Sequence, residues 1–336
     1  MNGLPLQRGA LALAGFAVLA GGFFLLIGRG PLDMLQDIAQ AAAGSGFAVG
    51  ESLLRATPIL LCALATLVPA RLGLVSVGAE GQLYFGALAG TGAMLLAPAA
   101  PVQLPLVLLA GMVGGSLWAL LPALMRIVAG ANETISTLML NYVASLLVTW
   151  LVYGPWKNPQ SQGWPASIDF PATARLPLLG DSRVHVGLLV ALGVAIVLHV
   201  LLTRSRWGLV LDVLRSNPRL APLAGLNVAR QVLLTMVIGG ALAGLAGIAE
   251  TASVQGRLQS AFANGAGLSG FLVAWLAGNR VLPSMALALL VGGLLAAGDG
   301  LQMMTSVPSS AVLVVQGLMF VALLGAGGWR GKAARG

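Results

Sequence analysis

Thr203–Val228 reads TRSRWGLVLDVLRSNPRLAPLAGLNV, a basic stretch set between two long apolar runs. Arg204, Arg206, Arg215 and Arg219 lie within it and Arg230 just after it, against one acid, Asp212. Asn217 suits a helix N-cap and Pro218 the first helical position, where its missing N–H costs nothing. Gly225 is a natural stop. Leu220 and Leu223 give the two-turn helix between them an apolar side, too short to span anything. The stretch therefore predicts a short helix on a basic loop over about 204–228. It is either a place where something soluble docks or an interfacial loop whose arginines only fix topology.

The rest of the chain decides what kind of loop this is. Of its 336 residues, 58% are hydrophobic and only 8% charged. A soluble domain carries about a quarter charged residues, so this chain has too little polar surface to cover itself in water. Apolar runs of about 20 residues identify membrane helices; barrel strands alternate and are about half as long. The fold class is all-α, a polytopic helical membrane protein, treated as a single transmembrane domain over 1–336. The 46 glycines point to close helix packing, as in Gly240-x-x-x-Gly244 followed by Gly247. Cys62 is the sole cysteine, so a disulfide within the chain or a cysteine metal cluster is excluded. His185 and His199 fall near or within one span and give no metal site. The net charge of +8 follows loop sidedness, which removes the case for nucleic acid.

Arg8 precedes a run from Ala10 to Gly28 that is long for a signal peptide and reads as the first span. Pro31–Gly50 is mildly amphipathic and reads as interfacial. Further segments follow at roughly 53–70, 74–97, 103–128, 134–154, 183–203, 229–250, 266–279 (short), 281–299 and 308–326, about ten in all. With the N-terminus inside, twelve of the 18 lysines and arginines fall on the inner side, the basic stretch among them. Both termini are therefore expected in the cytoplasm. The longest outer connection, about 155–182, holds Pro155, Pro159, Pro165, Pro171 and Pro177 with Trp156 and Trp164. It reads as a capping turn or a contact for an external partner. A G-x-x-x-x-G-K-[ST] phosphate loop is missing, so ATP is not hydrolysed here by that route.

Three stretches carry costly polar groups into the apolar region. In Leu74–Tyr84, LVSVGAEGQLY, Gly78 and Gly81 bracket Glu80, and Gln82 follows. This reads either as a broken helix beside a transport path or as an interfacial Glu80 that pairs with Arg71 or caps a helix. In Asn132–Ala144, NETISTLMLNYVA, Asn132 is the expected N-cap and Glu133 suits the positive end of the helix. Ser136, Thr137 and Asn141 then form a polar stripe, with Asn141 and Tyr142 nearest the middle of the membrane. Neutral amide and phenol groups suit an uncharged polar ligand; interhelical hydrogen bonds are the alternative. In Asn264–Asn279, NGAGLSGFLVAWLAGN, a glycine-rich start leads into a short, re-entrant or broken segment. Phe271 and Trp275, four apart, are placed to stack on a flat ligand or to pack in the core. A glycine-interrupted segment in each half is the pattern of a transport path between two pseudo-repeated halves.

The chain resembles the membrane permease subunits of ABC importers, in the class that serves branched-chain amino acids, simple sugars and nucleosides. The likeness is nearest to the simple-sugar and nucleoside branch, served by BMP-type binding proteins. It is carried by VGAEGQLYFGALAG (Val77–Gly90), NETISTLMLNYVA (Asn132–Ala144), LRSNPRLAPLAGLNV (Leu214–Val228), GGALAGLAG (Gly239–Gly247) and VPSSAVLVVQGLMF (Val307–Phe320). The resemblance implies a second permease, identical or homologous, and two cytoplasmic ATPase subunits that bind ATP and Mg²⁺. It also implies an external binding protein or lipoprotein and the bacterial inner membrane. On this likeness Asn217–Gly225 is the coupling helix, and Arg215, Asn217, Pro218, Arg219, Leu220, Leu223 and Gly225 face the ATPase. Two positions depart from the pattern: Pro222 replaces an ordinary helix former, and Ser269 stands where relatives often carry Asp.

The expectation is thus a non-enzymatic permease subunit without a cofactor, moving a nucleoside or simple sugar past Glu80, Gln82, Asn141, Tyr142, Phe271 and Trp275. The alternative is an ion-coupled carrier of a polar solute, with Glu80 as its membrane carboxylate. A membrane-embedded hydrolase or transferase lacks a nucleophile–base pair.

Overall fold

A computed structural model of the chain describes residues 4–96, 102–161, 165–180, 182–216, 221, 225–305 and 308–328. These are helical almost throughout, and the β-structure among them is limited to two isolated bridges. The chain divides into two compact units, Met1–Ala56 with Leu289–Gly336, and Thr57–Ala288.

In the first unit α1 (Leu4–Leu26) turns by 103° into α2 (Pro31–Ala43). Gly28 makes the turn at φ +75, and Pro31 opens α2 at its first position, where proline is preorganised for a helix. The amphipathic segment expected over Pro31–Gly50 is shorter in the structure, because α3 (Gly46–Arg71) already begins at Gly46. Two further helices complete this unit, the latter part of α11 (Val281–Thr305) and α12 (Ser309–Gly328), which packs along α1. The start of α3 meets α11 closely. A Cβ on Gly292 would stand 2.5 Å from the Ala56 nitrogen, and Arg55 pairs with Asp299 at 2.7 Å.

The second unit is built on a three-helix crossing of α4 (Ala79–Leu96), α5 (Gln103–Ala129) and α9 (Val228–Glu250). Backbone meets backbone there. The missing side chains of Gly86, Gly115 and Gly247 would collide with the main chain of Gly244, Gly240 and Leu83 respectively. In lipid, where tails are as apolar as leucine, such close approach supplies the packing attraction that water would otherwise drive. The Gly240-x-x-x-Gly244 and Gly247 pattern thus does what its spacing predicts.

Around the crossing stand α6 (Glu133–Tyr153), α7 (Gly187–Arg204), α8 (Arg206–Ser216) and α10 (Ala266–Leu276). Asn132 caps α6 as expected, its side chain accepting from the Thr134 N–H at 2.9 Å. After α9 the helix widens into a π-turn over Thr251–Gln255 and stops at Gly256, φ +63. The proline-rich connection is folded against that turn. Leu176 N–H donates to the Ala252 carbonyl at 3.1 Å, Phe170 N–H to Gly256 at 2.8 Å, and Ser167 N–H to Leu258 at 2.9 Å. Phe170, Ala174, Leu258 and His185 are buried beneath it.

Among the described residues six helices are long and apolar enough to cross a membrane, or seven if the bent pair α1–α2 counts as one span. The sequence reading had about ten segments. The difference lies in α4, α10 and α12: the segment expected from 74 begins with five non-helical residues, α10 has only 11, and α12 counts among the shorter apolar helices over Ser310–Gly325.

Candidate transport path and coupling face

Between α3 and α4 the chain leaves the helix over Leu72–Gly78. Gly73, at φ +87, ends α3, and the Leu74 N–H closes back on the Pro69 carbonyl at 3.1 Å. The extended residues that follow carry backbone groups which hydrocarbon does not satisfy, so protein must. Helix α6 does so. Glu133 accepts from the Val75 N–H at 3.2 Å, and the Thr134 hydroxyl donates to the Val75 carbonyl at 2.8 Å. Thr137 accepts from the Val77 N–H at 3.1 Å. Asn141 donates to the Val77 carbonyl and accepts from the Gly81 N–H, both at 2.8 Å. Glu133, Thr137 and Asn141 recur every four residues and so share one face of α6. Arg126 neutralises Glu133 through a direct ion pair.

Glu80 lies in the first turn of α4 and also holds the beginning of α10. Its Oε2 accepts from the Gly267 N–H at 2.6 Å and from the Leu268 N–H at 3.2 Å. One carboxylate therefore sits at the positive ends of two helices, where the exposed amides and the peptide dipoles both favour an anion. The helix is interrupted just ahead of Glu80, and Glu80 caps a helix and does not pair with Arg71. Arg71 is engaged elsewhere, 3.5 Å from Asp212 and donating to the Leu202 carbonyl at 3.1 Å.

The other expected path residues divide. Gln82 is buried at 4% exposure, with its amide over Gly78. Asn141 is buried at 7%, with both ends of its amide on backbone, whereas its neighbour Tyr142 is 63% exposed. Phe271 and Trp275 lie side by side on α10, ring centroids 5.9 Å apart and planes tilted by 38°. Glu80, Gln82 and Asn141 come together at the start of α4, and Glu80 links them to the helix that carries Phe271 and Trp275. A cavity of about 400 Å³ in the first unit, lined by Phe23, Ile27, Arg29 and residues of α12, involves none of them.

On the coupling side, α8 was not foreseen as a helix; its arginines masked a buried face of Gly208, Leu211 and Leu214. Arg71 ties it to the end of α3, and the Trp207 indole N–H donates to Gln231 of α9 at 2.9 Å. Arg215 is exposed on its last turn, and Gly225 adopts φ +65 as a helix stop would. Asn217, Pro218, Arg219, Leu220 and Leu223 lie outside the described residues. Sequence reasoning missed Arg126, Thr134 and Trp118 around the interrupted stretch and the start of α4. Trp118 stacks on Phe85 at 4.4 Å, and its indole N–H, buried beside Gly81, lacks a protein partner. The polar spacing of α6 was the available signal for Thr134; nothing in the sequence pointed to Trp118.

A membrane helix interrupted by protein-satisfied backbone, matched by a short glycine-flanked helix, is the architecture of polytopic transport proteins. The comparison with known sequences makes the class definite. The chain belongs to the family of branched-chain amino acid transport system permease components, matched over residues 48–324. It is 35% identical to the glucose ABC transporter permease protein TsgB13 of Haloferax volcanii, over 94% of this chain and 84% of that protein. It is 32% identical to the guanosine ABC transporter permease protein NupP of Bacillus subtilis, over 81% and 79%. With the nucleoside ABC transporter permease protein NupB of Lactococcus lactis it shares 28%, over 85% and 82%. No solved structure matches the chain. The protein is accordingly a multi-pass membrane permease, a transport subunit in place of the enzyme considered above.

Proposed function

We propose that this permease is the membrane subunit of an ATP-driven importer for a nucleoside or simple sugar. The observation that carries the reading is its similarity, across most of their length, to permeases named for glucose, guanosine and nucleosides. ATP and Mg²⁺ are bound by separate ATPase subunits that dock on the basic loop, Arg215 and Asn217–Gly225. A second permease, identical or homologous, completes the path, and an external binding protein delivers the solute. The protein lies in the bacterial inner membrane with both termini inside and about ten segments, the short broken ones included. Substrate passes Gln82, Tyr142, Phe271 and Trp275, with Glu80 and Asn141 at the margin of the path.

The test is purification of the tagged protein in mild detergent, with its co-purifying chains identified, followed by uptake in reconstituted vesicles. An ATPase subunit, together with guanosine or glucose uptake that needs ATP and ignores an uncoupler, is the expected result. Uptake that collapses with an uncoupler despite full ATP establishes the ion-coupled carrier instead.

A further inference from the structure

Helix α10 is bounded by left-handed residues on both sides. Asn264 and Gly265 take φ +46 and +73 before it, and Gly278 and Asn279 take +64 and +55 after it. A non-glycine residue seldom adopts such a backbone, so these pairs are sharp joints, and the 11 residues between them form a short helix with a joint at each end. Packing holds its middle: a Cβ on Gly270 would lie 2.5 Å from the Cys62 Cβ and 2.8 Å from the Ala63 nitrogen. Its beginning is held by a polar contact, the Glu80 carboxylate on the Gly267 and Leu268 amides, and Gly267 lets the α4 backbone come up against it.

We propose that Glu80 is a positioning residue for transport, its carboxylate pinning the jointed helix α10 to the start of α4, so that the two broken segments move as one body. Glu80 neither touches the cargo nor carries a proton in this account. The face of α10 that the pin sets includes Leu268 and Trp275, exposed by 43% and 47%, with Phe271 between them. The transport consequence rests on the importer reading; the pin itself does not.

The experiment uses the assembled permease complex with Leu268→Cys and reads labelling on the permease chain, in which Cys62, fully buried, is the one other cysteine. Labelling by a membrane-permeant maleimide is compared among Glu80, E80Q, E80D and E80A, and uptake is measured with guanosine and glucose as probes. In E80Q the amide oxygen still accepts from both N–H groups, so labelling stays within about twofold and uptake persists. E80A frees the end of the helix: labelling rises at least about fivefold, and Vmax falls at least about tenfold with KM unchanged, because the geometry of the path is lost and not a ligand contact. If E80A does not assemble, E80D, one methylene shorter, must raise labelling by itself. Equal labelling in all assembled variants overturns the pin. E80Q as inactive as E80A overturns it in favour of a charge that must titrate, and a raised KM at unchanged Vmax overturns it in favour of cargo contact. Labelling requires neither ATP nor substrate, so a failed pin and a failed importer assignment give different results.

Discussion

Asn141 shows how a polar residue in a membrane protein can look like a ligand contact and be bound to its own chain. Its amide closes the gap that the unwound Leu72–Gly78 stretch opens, joining the Val77 carbonyl to the Gly81 N–H. Asn141→Ala leaves both groups unpaired, each at about 1–3 kcal/mol. A melt in detergent should therefore show a loss on the order of 2–4 kcal/mol, while KM in whatever protein still folds stays the same. A variant with unchanged stability and weakened binding would instead make Asn141 a cargo contact. His185 offers a second check. Its Nδ1 accepts from the Gly187 N–H at 3.1 Å, and burial pushes the imidazole down from 6.5 to about 4. Between those values the unfolded chain holds more protons than the folded one, so stability falls as pH drops through that window and levels off below it. The loss from pH 6.5 to 5 is about 1.5 kcal/mol. His185→Asn keeps an acceptor and should flatten the difference between melts at pH 7 and pH 5. The cap at Asn132 was legible from sequence because a cap acts on its own helix. The partners of Asn141 were not, because the Val77 carbonyl lies 64 positions away.

Helices α4, α5 and α9 cross at distances only glycine permits, and this can be tested by contrast. A side chain at Gly244 would strike the main chain of Gly111 and Gly115, whereas one at Gly193 of α7 meets nothing within 4 Å. Gly244→Val should abolish the folded peak in size-exclusion chromatography, since overpacking costs about 1–3 kcal/mol even where neighbours can shift and backbone yields little. Gly193→Ala should leave the peak intact and add about 0.5–1 kcal/mol of helix stability. Both folding alike would remove the backbone contact as the basis of the crossing. The small-residue spacing on α9 announced a close contact without naming the helices it meets. Helix α8 escaped the sequence reading for another reason: its apolar face is three residues wide and sits among arginines, so charge dominated the pattern. The broken helix at Leu74–Tyr84 was legible because glycine, Glu80 and Gln82 oppose an uninterrupted apolar helix. Its break runs over Leu72–Gly78, opening at Gly73, where φ is +87, and closing before Glu80 and Gln82, which lie in α4.

For the protein as a whole, class and family were readable from apolar length and motif order, since both are properties of the chain itself. The number of full spans was not, because it depends on where helices stop against other helices. Coupling to a soluble motor should pass through Arg71, which ties α8 to the end of α3 by an ion pair and a carbonyl contact. Arg71→Ala should reduce substrate-stimulated ATPase activity of the assembled complex at least about threefold, and more than Asp212→Ala. The exposed ion pair alone contributes less than about 1 kcal/mol, while the buried side of Arg71 also holds a backbone carbonyl. Equal effects of the two variants would place the coupling elsewhere. The π-turn at Thr251–Gln255 has a consequence for how this chain tolerates change. A π-turn holds one more residue than an α-turn, so the five residues carry a local slack that the straight part of α9 lacks. Deleting one of them returns the turn to α geometry and leaves the helix up to Glu250 as it was. A deletion between Gln231 and Ile238, within straight α9, instead rotates the following residues by about 100° and carries Gly244 and Gly247 off the main chains they meet. Single-residue deletions should therefore be better tolerated over Thr251–Gln255 than within Gln231–Ile238.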